Sequence, residues 1–264
     1  MKNIKNKVVW ITGASSGIGE ELAFLMAKEG AFPVLIARNK EKLQLVKETC
    51  LQHTEKCWAY SMDLSNVDEL PAFVEKVFSE TDPIDILINN AGRSQRSLAI
   101  DTPLQNDRNI MELNFFSVIS LTKLVLPHML KHNSGHIVTI SSIIGKFGFP
   151  WRTAYAASKH ALQGYFESLR AELNSSNINV TIVSPGRIKT NISLHALTEN
   201  GESYNKMDKG QENGLHVDKC ARRIVKAIRK NEKDILVGKS ELLMVYIRKF
   251  FPVLFHRMVT KINN

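Results

Sequence analysis

Seven short apolar runs alternate with longer segments of helical periodicity along almost the whole chain. The runs are KVVWIT (7–12), PVLIA (33–37), CWAYSM (57–62), IDILIN (84–89), HIVTIS (136–141), NVTIVS (179–184) and DILVG (234–238). Helical patterns fill 17–30, 40–53, 66–80, about 104–132, 154–174 and 217–230. A strand without polar alternation is buried on both faces, and helix-length connections return the chain parallel to itself. The pattern therefore predicts an α/β fold, a doubly wound parallel sheet of about seven strands with helices on both faces. At 264 residues and 44% hydrophobic composition the chain can fill such a core. No linker, internal repeat or low-complexity tract interrupts it, so 1–264 is expected to be a single domain.

Charge and cysteine content narrow the class. Lys and Arg number 35 against 26 Asp and Glu, a net charge of +9 that favours anionic partners. No zinc-finger spacing or dense basic tract accompanies that charge, so no nucleic-acid partner is expected. Cys50, Cys57 and Cys220 are odd in number and form no CxxC pair, which fits free thiols in a reducing cytoplasmic setting. His53, His128, His132 and His136 show no ligand spacing, so no metal is expected. The apolar run VVWI near the N-terminus is too short for a signal or a membrane span. Elsewhere no stretch of about 18 uninterrupted apolar residues occurs.

Two segments fall outside the alternation. Residues 189–216 are polar and glycine-containing, and a loop of that length in a compact domain is expected to act as a mobile lid. The segment LLMVYIRKFFPVLFHRMVTKINN (242–264) has no acidic residue. Leu243, Ile247, Phe250, Leu254, Met258 and Ile262 recur at helical spacing, with Arg248, Lys249, Arg257 and Lys261 away from that stripe. A basic amphipathic helix over 240–262, or two helices broken at Pro252, is expected. Its apolar face would cover the substrate pocket, meet another subunit, or rest peripherally on an anionic membrane.

TGASSGIG (12–19) follows the first strand and opens the first helix, which is the context that gives a glycine-rich turn meaning. Gly13 permits the tight turn, Gly17 lets backbone approach a pyrophosphate, and Gly19 allows close helix–strand packing. The helix N-terminus there favours an anion. Further on, TAYAASKHA sets Tyr155 and Lys159 one helical turn apart among small residues.

The spacing Gly-x₃-Gly-x-Gly resembles the short-chain dehydrogenase/reductase family, and the resemblance runs along nearly the full chain. It is carried by NNAG (89–92) after strand four, Asn114 in the long helix and ISS ending strand five. Ser142 lies 13 residues before Tyr155, and YAASK is followed by PGRIKT (185–190) after strand six. NNAGRSQRS, GHIVTISSIIGKFG and YAASKHALQGYFESLRAEL look like the branch called dehydrogenase/reductase member seven. Arg93 departs from the small or apolar residue more usual after NNAG. The resemblance implies a Rossmann-type, nucleotide-binding oxidoreductase that moves hydride between a nicotinamide and a carbonyl or alcohol.

It also implies site residues. Asn114, Ser142, Tyr155 and Lys159 would be catalytic. Gly13, Ser15, Ser16, Gly17, Ile18, Gly19, Arg38, Asn39, Asp63, Leu64, Asn90, Ala91, Gly92, Tyr155, Lys159, Pro185, Gly186, Ile188 and Thr190 would hold the cofactor. By its chemistry Tyr155 would supply the proton, with its pKa lowered by Lys159. Ser142 would orient the substrate oxygen. Asn114 would hold a relay water, as in the family. An acid at the end of strand two would select NAD; Ala37 and Arg38 there favour the extra phosphate of NADP. Asp63 would contact the adenine or cap the following helix. The helices at 104–132 and 154–174 look like the family's subunit surfaces, implying a homodimer or homotetramer. The expected function is NADPH-dependent carbonyl reduction of a small, hydrophobic molecule, in the cytoplasm or peripherally on a membrane. The alternatives are an NAD-linked alcohol dehydrogenase and a non-catalytic NADP(H) sensor.

Overall fold

Each of the seven apolar runs forms a strand, and all pair in parallel. The structure is a computed structural model that describes residues 3–261. The strands are β1 (Val8–Thr12), β2 (Phe32–Ala37), β3 (Trp58–Ser61), β4 (Ile86–Asn89), β5 (Gly135–Ile140), β6 (Ile178–Pro185) and β7 (Asp234–Val237). They lie in the order β3-β2-β1-β4-β5-β6-β7. The order reverses between β1 and β4, and a crevice opens there beyond the strands' C-terminal ends.

Strand alternation builds two cores from one sheet. Val9 and Ile11 of β1 face α1 (Gly17–Lys28), α2 (Lys40–Leu51) and the later α8 (Val217–Lys230), through Leu22, Met26, Leu43, Cys50 and Ile224. Val8 and Trp10 face the other way, with Leu70, Val74 and Val77 of α3 (Leu70–Glu80). Two further helices complete that face. They are α5 (Ser117–Lys131), through Leu121 and Val125, and α6 (Thr153–Glu172), through Leu162 and Phe166.

Three stretches depart from simple periodicity. The long helix divides into α4 (Leu104–Met111), a wider π-helical turn (Glu112–Phe116) that carries Asn114, and α5. By length and composition alone the run Leu104–Lys131 could cross a membrane. Here Val118, Leu121, Val125 and Met129 are committed to the sheet core. Residues 189–216 contain only one helical turn, α7 (Lys209–Glu212). The segment is nonetheless pinned by bridges Gln95↔Leu197 and Ile188↔Leu215, with Ser193, Ala196 and Leu197 buried. Its polar surface conceals a few apolar anchors that tie it to the body of the domain.

The C-terminal segment is the third. Leu243–Phe250 forms α9 and Pro252–Val259 forms α10, broken where proline cannot donate to the helix ladder. The expected single stripe is thereby split. Phe255 is buried against Phe147, and Met244, Ile247 and Val259 pack with them. Leu243, Phe250 and Leu254 instead face solvent, because the break at Phe251 turns α10 relative to α9. Ile262, the last member of the stripe, lies outside the described residues.

Candidate active site

Glycines and one threonine shape the crevice at the end of β1. Gly13 and Gly17 have φ of 65° and 60°, the left-handed region that side chains disfavour. A Cβ on Gly19 would stand 2.3 Å from the Gly13 carbonyl oxygen, so only glycine lets α1 start this close to β1. Gly19 therefore shapes the turn from behind. Thr12 joins this turn to the NNAG segment: its Oγ1 accepts from the amides of Asn90 and Ala91, both at 2.9 Å. Asn90 Nδ2 donates back to the Thr12 carbonyl at 2.9 Å.

An elongated cavity of about 670 Å³ follows from this turn along the ends of β2 and β3. It is lined by Gly13, Ser15, Ser16, Gly17 and Ile18, then Arg38, Asn39, Asp63 and Leu64, and by Asn90, Ala91, Gly92 and Thr190. Arg38 Nη1 approaches Asp63 Oδ2 at 3.7 Å across an exposed gap, a pair worth little energetically. Burial pushes the Asp63 carboxyl up. Hydrogen bonds from Ser65 and the charge of Arg38 outweigh it and leave the group below its ordinary value. Asp63 thus faces the cavity and also caps the following turn, accepting from the Ser65 amide at 3.0 Å. Lys42 lines the same end from the first turn of α2, four residues after Arg38. That spacing was the available signal for it, and motif reading passes over it.

The crevice continues into a second cavity of about 960 Å³ that holds Ser142, Tyr155, Lys159, Pro185, Gly186 and Ile188. Ile18, Asn90, Gly92 and Thr190 line both cavities. Ser142 caps the turn after β5, its Oγ accepting from the Ile144 amide at 3.2 Å, and hydrogen-bonds with Tyr155. Its neighbour Ser141 instead donates to the Lys159 carbonyl at 3.1 Å and accepts from Gln163 at 3.0 Å, a packing role. Asn114 receives the Arg93 amide at 2.8 Å and donates to the Arg93 carbonyl at 2.9 Å and to Ser158 at 3.0 Å. Its side chain is thus a clasp between the Arg93 backbone and Ser158. The π-helical turn is what swings it inward. A Cβ on Gly92 would meet Asn114 Oδ1 at 3.1 Å and Lys159 Nζ at 3.4 Å, so any side chain there would press on the Asn114 clasp.

Lys159 Nζ donates to the Ile140 carbonyl at 3.0 Å and stands 5.8 Å from the centre of the Tyr155 ring. Burial pushes Lys159 down to about 8. Burial also pushes the Tyr155 hydroxyl up; Ser142, then Arg96 and Arg152, oppose that rise. The Lys159 ammonium is turned toward β5, so Arg96 and Arg152 stand beside it as further cations acting on Tyr155. Arg96 and Arg152 were not singled out by motif reading, since neither belongs to a recurring spacing. Arg93, the noted departure, reaches from the NNAG turn to the His195 carbonyl at 2.9 Å and straps the 189–216 segment.

Known proteins with this pattern agree on its kind. The family model for short chain dehydrogenases matches residues 7–200. A Drosophila melanogaster protein, dehydrogenase/reductase SDR family protein 7-like, is 42% identical, covering 98% of this chain and 81% of its own. The Mus musculus dehydrogenase/reductase SDR family member 7B is 40% identical over 97% of this chain and 81% of its own. Among solved structures, a Burkholderia phymatum short chain dehydrogenase/reductase in complex with NAD superposes with a TM-score of 0.85. It is 23% identical and 96% of each chain is covered. A Sphingobium yanoikuyae short-chain dehydrogenase in complex with NADPH gives 0.78 at 26% identity, covering 98% of this chain and 97% of that one. The Rossmann-type sheet, the glycine turn at its switch point and these matches together make the chain an oxidoreductase belonging to the short chain dehydrogenase family.

Proposed function

We propose that this protein is an NADPH-dependent carbonyl reductase, interconverting a carbonyl and a secondary alcohol through Ser142, Tyr155, Lys159 and Asn114. The observation that carries the reading is the meeting of Ser142, Tyr155 and Lys159 where the second cavity joins the glycine-turn cleft. The cleft fits a dinucleotide: its floor is backbone that any Cβ on Gly13 would crowd, 3.0 Å from the Ala91 Cα. A bound nicotinamide supplies the hydride to the carbonyl carbon. The carbonyl π electrons move onto oxygen, and the Tyr155 hydroxyl gives that oxygen its proton. Ser142 holds the oxygen toward Tyr155. Lys159 keeps its remaining donors for the cofactor's ribose, and Asn114 fixes the wall beside it. Burial favours the protonated phenol, the form a proton donor needs.

NADPH is favoured because Ala37 leaves no acid at the end of β2, while Arg38 and Lys42 line that end of the cleft. The Sphingobium yanoikuyae relative in complex with NADPH supports this. NAD is the rival, since Asp63 already engages Arg38. A homodimer or homotetramer is part of the reading, supported by exposed Leu104, Phe116 and Leu130 on α4, the π-helical turn and α5. So is a cytoplasmic setting, consistent with three free cysteines. Peripheral membrane contact through α9 and α10 also belongs to it, and 1–264 is taken as one functional domain.

The test is NADPH oxidation, followed by absorbance, across a panel of aliphatic, aromatic and acidic ketones. Turnover is expected with at least one class, and Tyr155→Phe should lose about 10²–10⁴-fold in kcat while still binding NADPH. Near-parental kcat in a folded Tyr155→Phe protein would exclude the assigned role.

A further inference from the structure

Two arginines are buried in the wall of the second cavity and share a single carboxylate. The Arg96 side chain is 2% exposed and that of Arg152 is 11%. Both point to Asp208: Arg96 Nε lies 3.1 Å from Asp208 Oδ2, Arg96 Nη2 contacts the same oxygen, and Arg152 Nη2 lies at 3.2 Å. Arg96 Nη1 is held by Ser94 Oγ at 2.7 Å and the Gln95 carbonyl at 2.6 Å. The Arg152 guanidinium also covers the Phe149 ring at 4.9 Å.

The charges do not balance. A buried guanidinium is costly unless paired, and here two cations meet one anion. Across the whole cavity lining, six cationic side chains (Arg96, Arg152, Lys159, Arg187, Lys206, Lys209) face two carboxylates, Asp208 and Glu241. Glu241 is already committed, accepting from the backbone amides of Arg187 and Lys239 at 2.8 and 3.1 Å. A staple for the 189–216 segment needs one buried arginine. The second adds desolvation cost without adding an anion.

The partners also differ in how deeply they are buried. Arg152 stands at the start of α6, three residues before Tyr155, and its carbonyl accepts the Ala156 amide at 2.7 Å. Arg96 is anchored by the amide hydrogen bond to the Leu197 carbonyl at 2.8 Å. Asp208 stands just before α7, its amide on Ser193 Oγ at 3.3 Å and its carbonyl accepting from the Gln211 and Glu212 amides at 2.9 and 3.0 Å. The backbones of all three are fixed, but the Asp208 side chain is the more exposed, 20% against 2% and 11%, so a turn of its side chain alone would free the arginines.

We infer that Arg96 and Arg152 form a seat for an anionic group, a carboxylate or a phosphate, on the carbonyl substrate, and that Asp208 occupies this seat until substrate displaces it. The inference rests on the carbonyl reductase reading for its location beside Tyr155 and Ser142. The cavity wall also carries apolar Ile143, Ile144, Phe147 and Met244. The substrate class is therefore an amphiphilic ketone: an anionic end at the arginines, a carbonyl at Tyr155 and a hydrocarbon portion under α9. This revises the expectation of a simply hydrophobic substrate. Paired guanidinium forks recognise either oxyanion by charge-assisted hydrogen bonds.

Three probes of equal chain length decide it: a medium-chain keto acid, its methyl ester, and the corresponding keto-alkyl phosphate. Their binding to the NADP⁺-loaded protein is measured by calorimetry and their reduction is measured with NADPH. One or both anionic probes should bind at least about tenfold tighter than the ester, the scale of one charged hydrogen bond. Which anion binds better distinguishes carboxylate from phosphate. Arg152→Gln should remove that preference and leave ester binding unchanged, with Arg152→Lys used if the Gln protein does not fold. Asp208→Asn should tighten anion binding about tenfold, because the internal competitor is gone; a merely structural staple would not do this. Equal binding of acid, phosphate and ester, or no anion binding at all, overturns the seat. Anion binding that follows these variants without any turnover leaves the seat standing and defeats the reductase reading.

Discussion

Arg38 shows how one side chain at a strand end is asked to choose a cofactor. It is more than half exposed and only loosely paired with Asp63, so its charge is available to a phosphate. Arg38→Ala is expected to weaken NADPH binding by about 1.5–3 kcal/mol while leaving NADH nearly unchanged. Calorimetry with both cofactors checks this, and equal parental affinities would refute the selectivity. At this scale Tyr155 and Lys159 were legible because four-residue spacing on a helix is a geometric statement in itself. Arg96, Arg152 and Asp208 were not. They come from three stretches of chain up to 112 positions apart, and nothing local marks them.

Among the elements, the C-terminal pair α9 and α10 does two things that one helix could not. Its inner face closes over Phe147 and the second cavity, with Met244 and Met258 in the cavity wall. Its outer face exposes Leu243, Tyr246, Phe250, Phe251, Val253 and Leu254 together. Each basic residue near an anionic bilayer surface contributes about 1 kcal/mol. The protein should sediment with phosphatidylglycerol vesicles at low salt. Changing Phe250 and Phe251 to Ser should release it with little change in melting temperature, since both are 62% exposed. Failure of the parental protein to sediment would make α9–α10 a roof or a subunit contact only. The existence and polarity of this segment were legible in its composition. The division of its faces was not, because the rotation at Phe251 depends on what Phe255 finds to pack against.

The sheet as a whole carries an acid sensitivity at its centre. His136 opens β5 and is fully buried; its Nε2 lies 2.8 Å from Thr181 Oγ1. The Thr181 hydroxyl proton goes to the Glu232 carbonyl at 2.6 Å, so the imidazole must donate through Nε2. His136 Nδ1 has no partner among the described residues, and burial pushes the group down to about 3. In the unfolded chain it takes a proton below its ordinary value of 6.5. Between those values the unfolded state binds more protons, so stability falls as pH drops through the window, by about 1.4 kcal/mol per pH unit from this group. Urea midpoints near about pH 7 and about pH 5 should differ less in His136→Val than in the parent. An unchanged pH dependence would show that other groups govern acid unfolding.

The chain's own order of residues determined the alternation of strands and helices, the parallel sheet, the glycine turn and the Tyr155–Lys159 pair. Each rests on periodicity or on spacing of a few residues, and backbone geometry converts those directly into position. Tertiary structure alone decided which cations surround Tyr155, that Asn114 is a clasp, that residues 189–216 are strapped by Arg93 and Leu197, and which face of α9 and α10 meets water. Those depend on loops brought together at the open ends of parallel strands. There, side chains distant in sequence become neighbours because the crossover helices return every strand in the same direction.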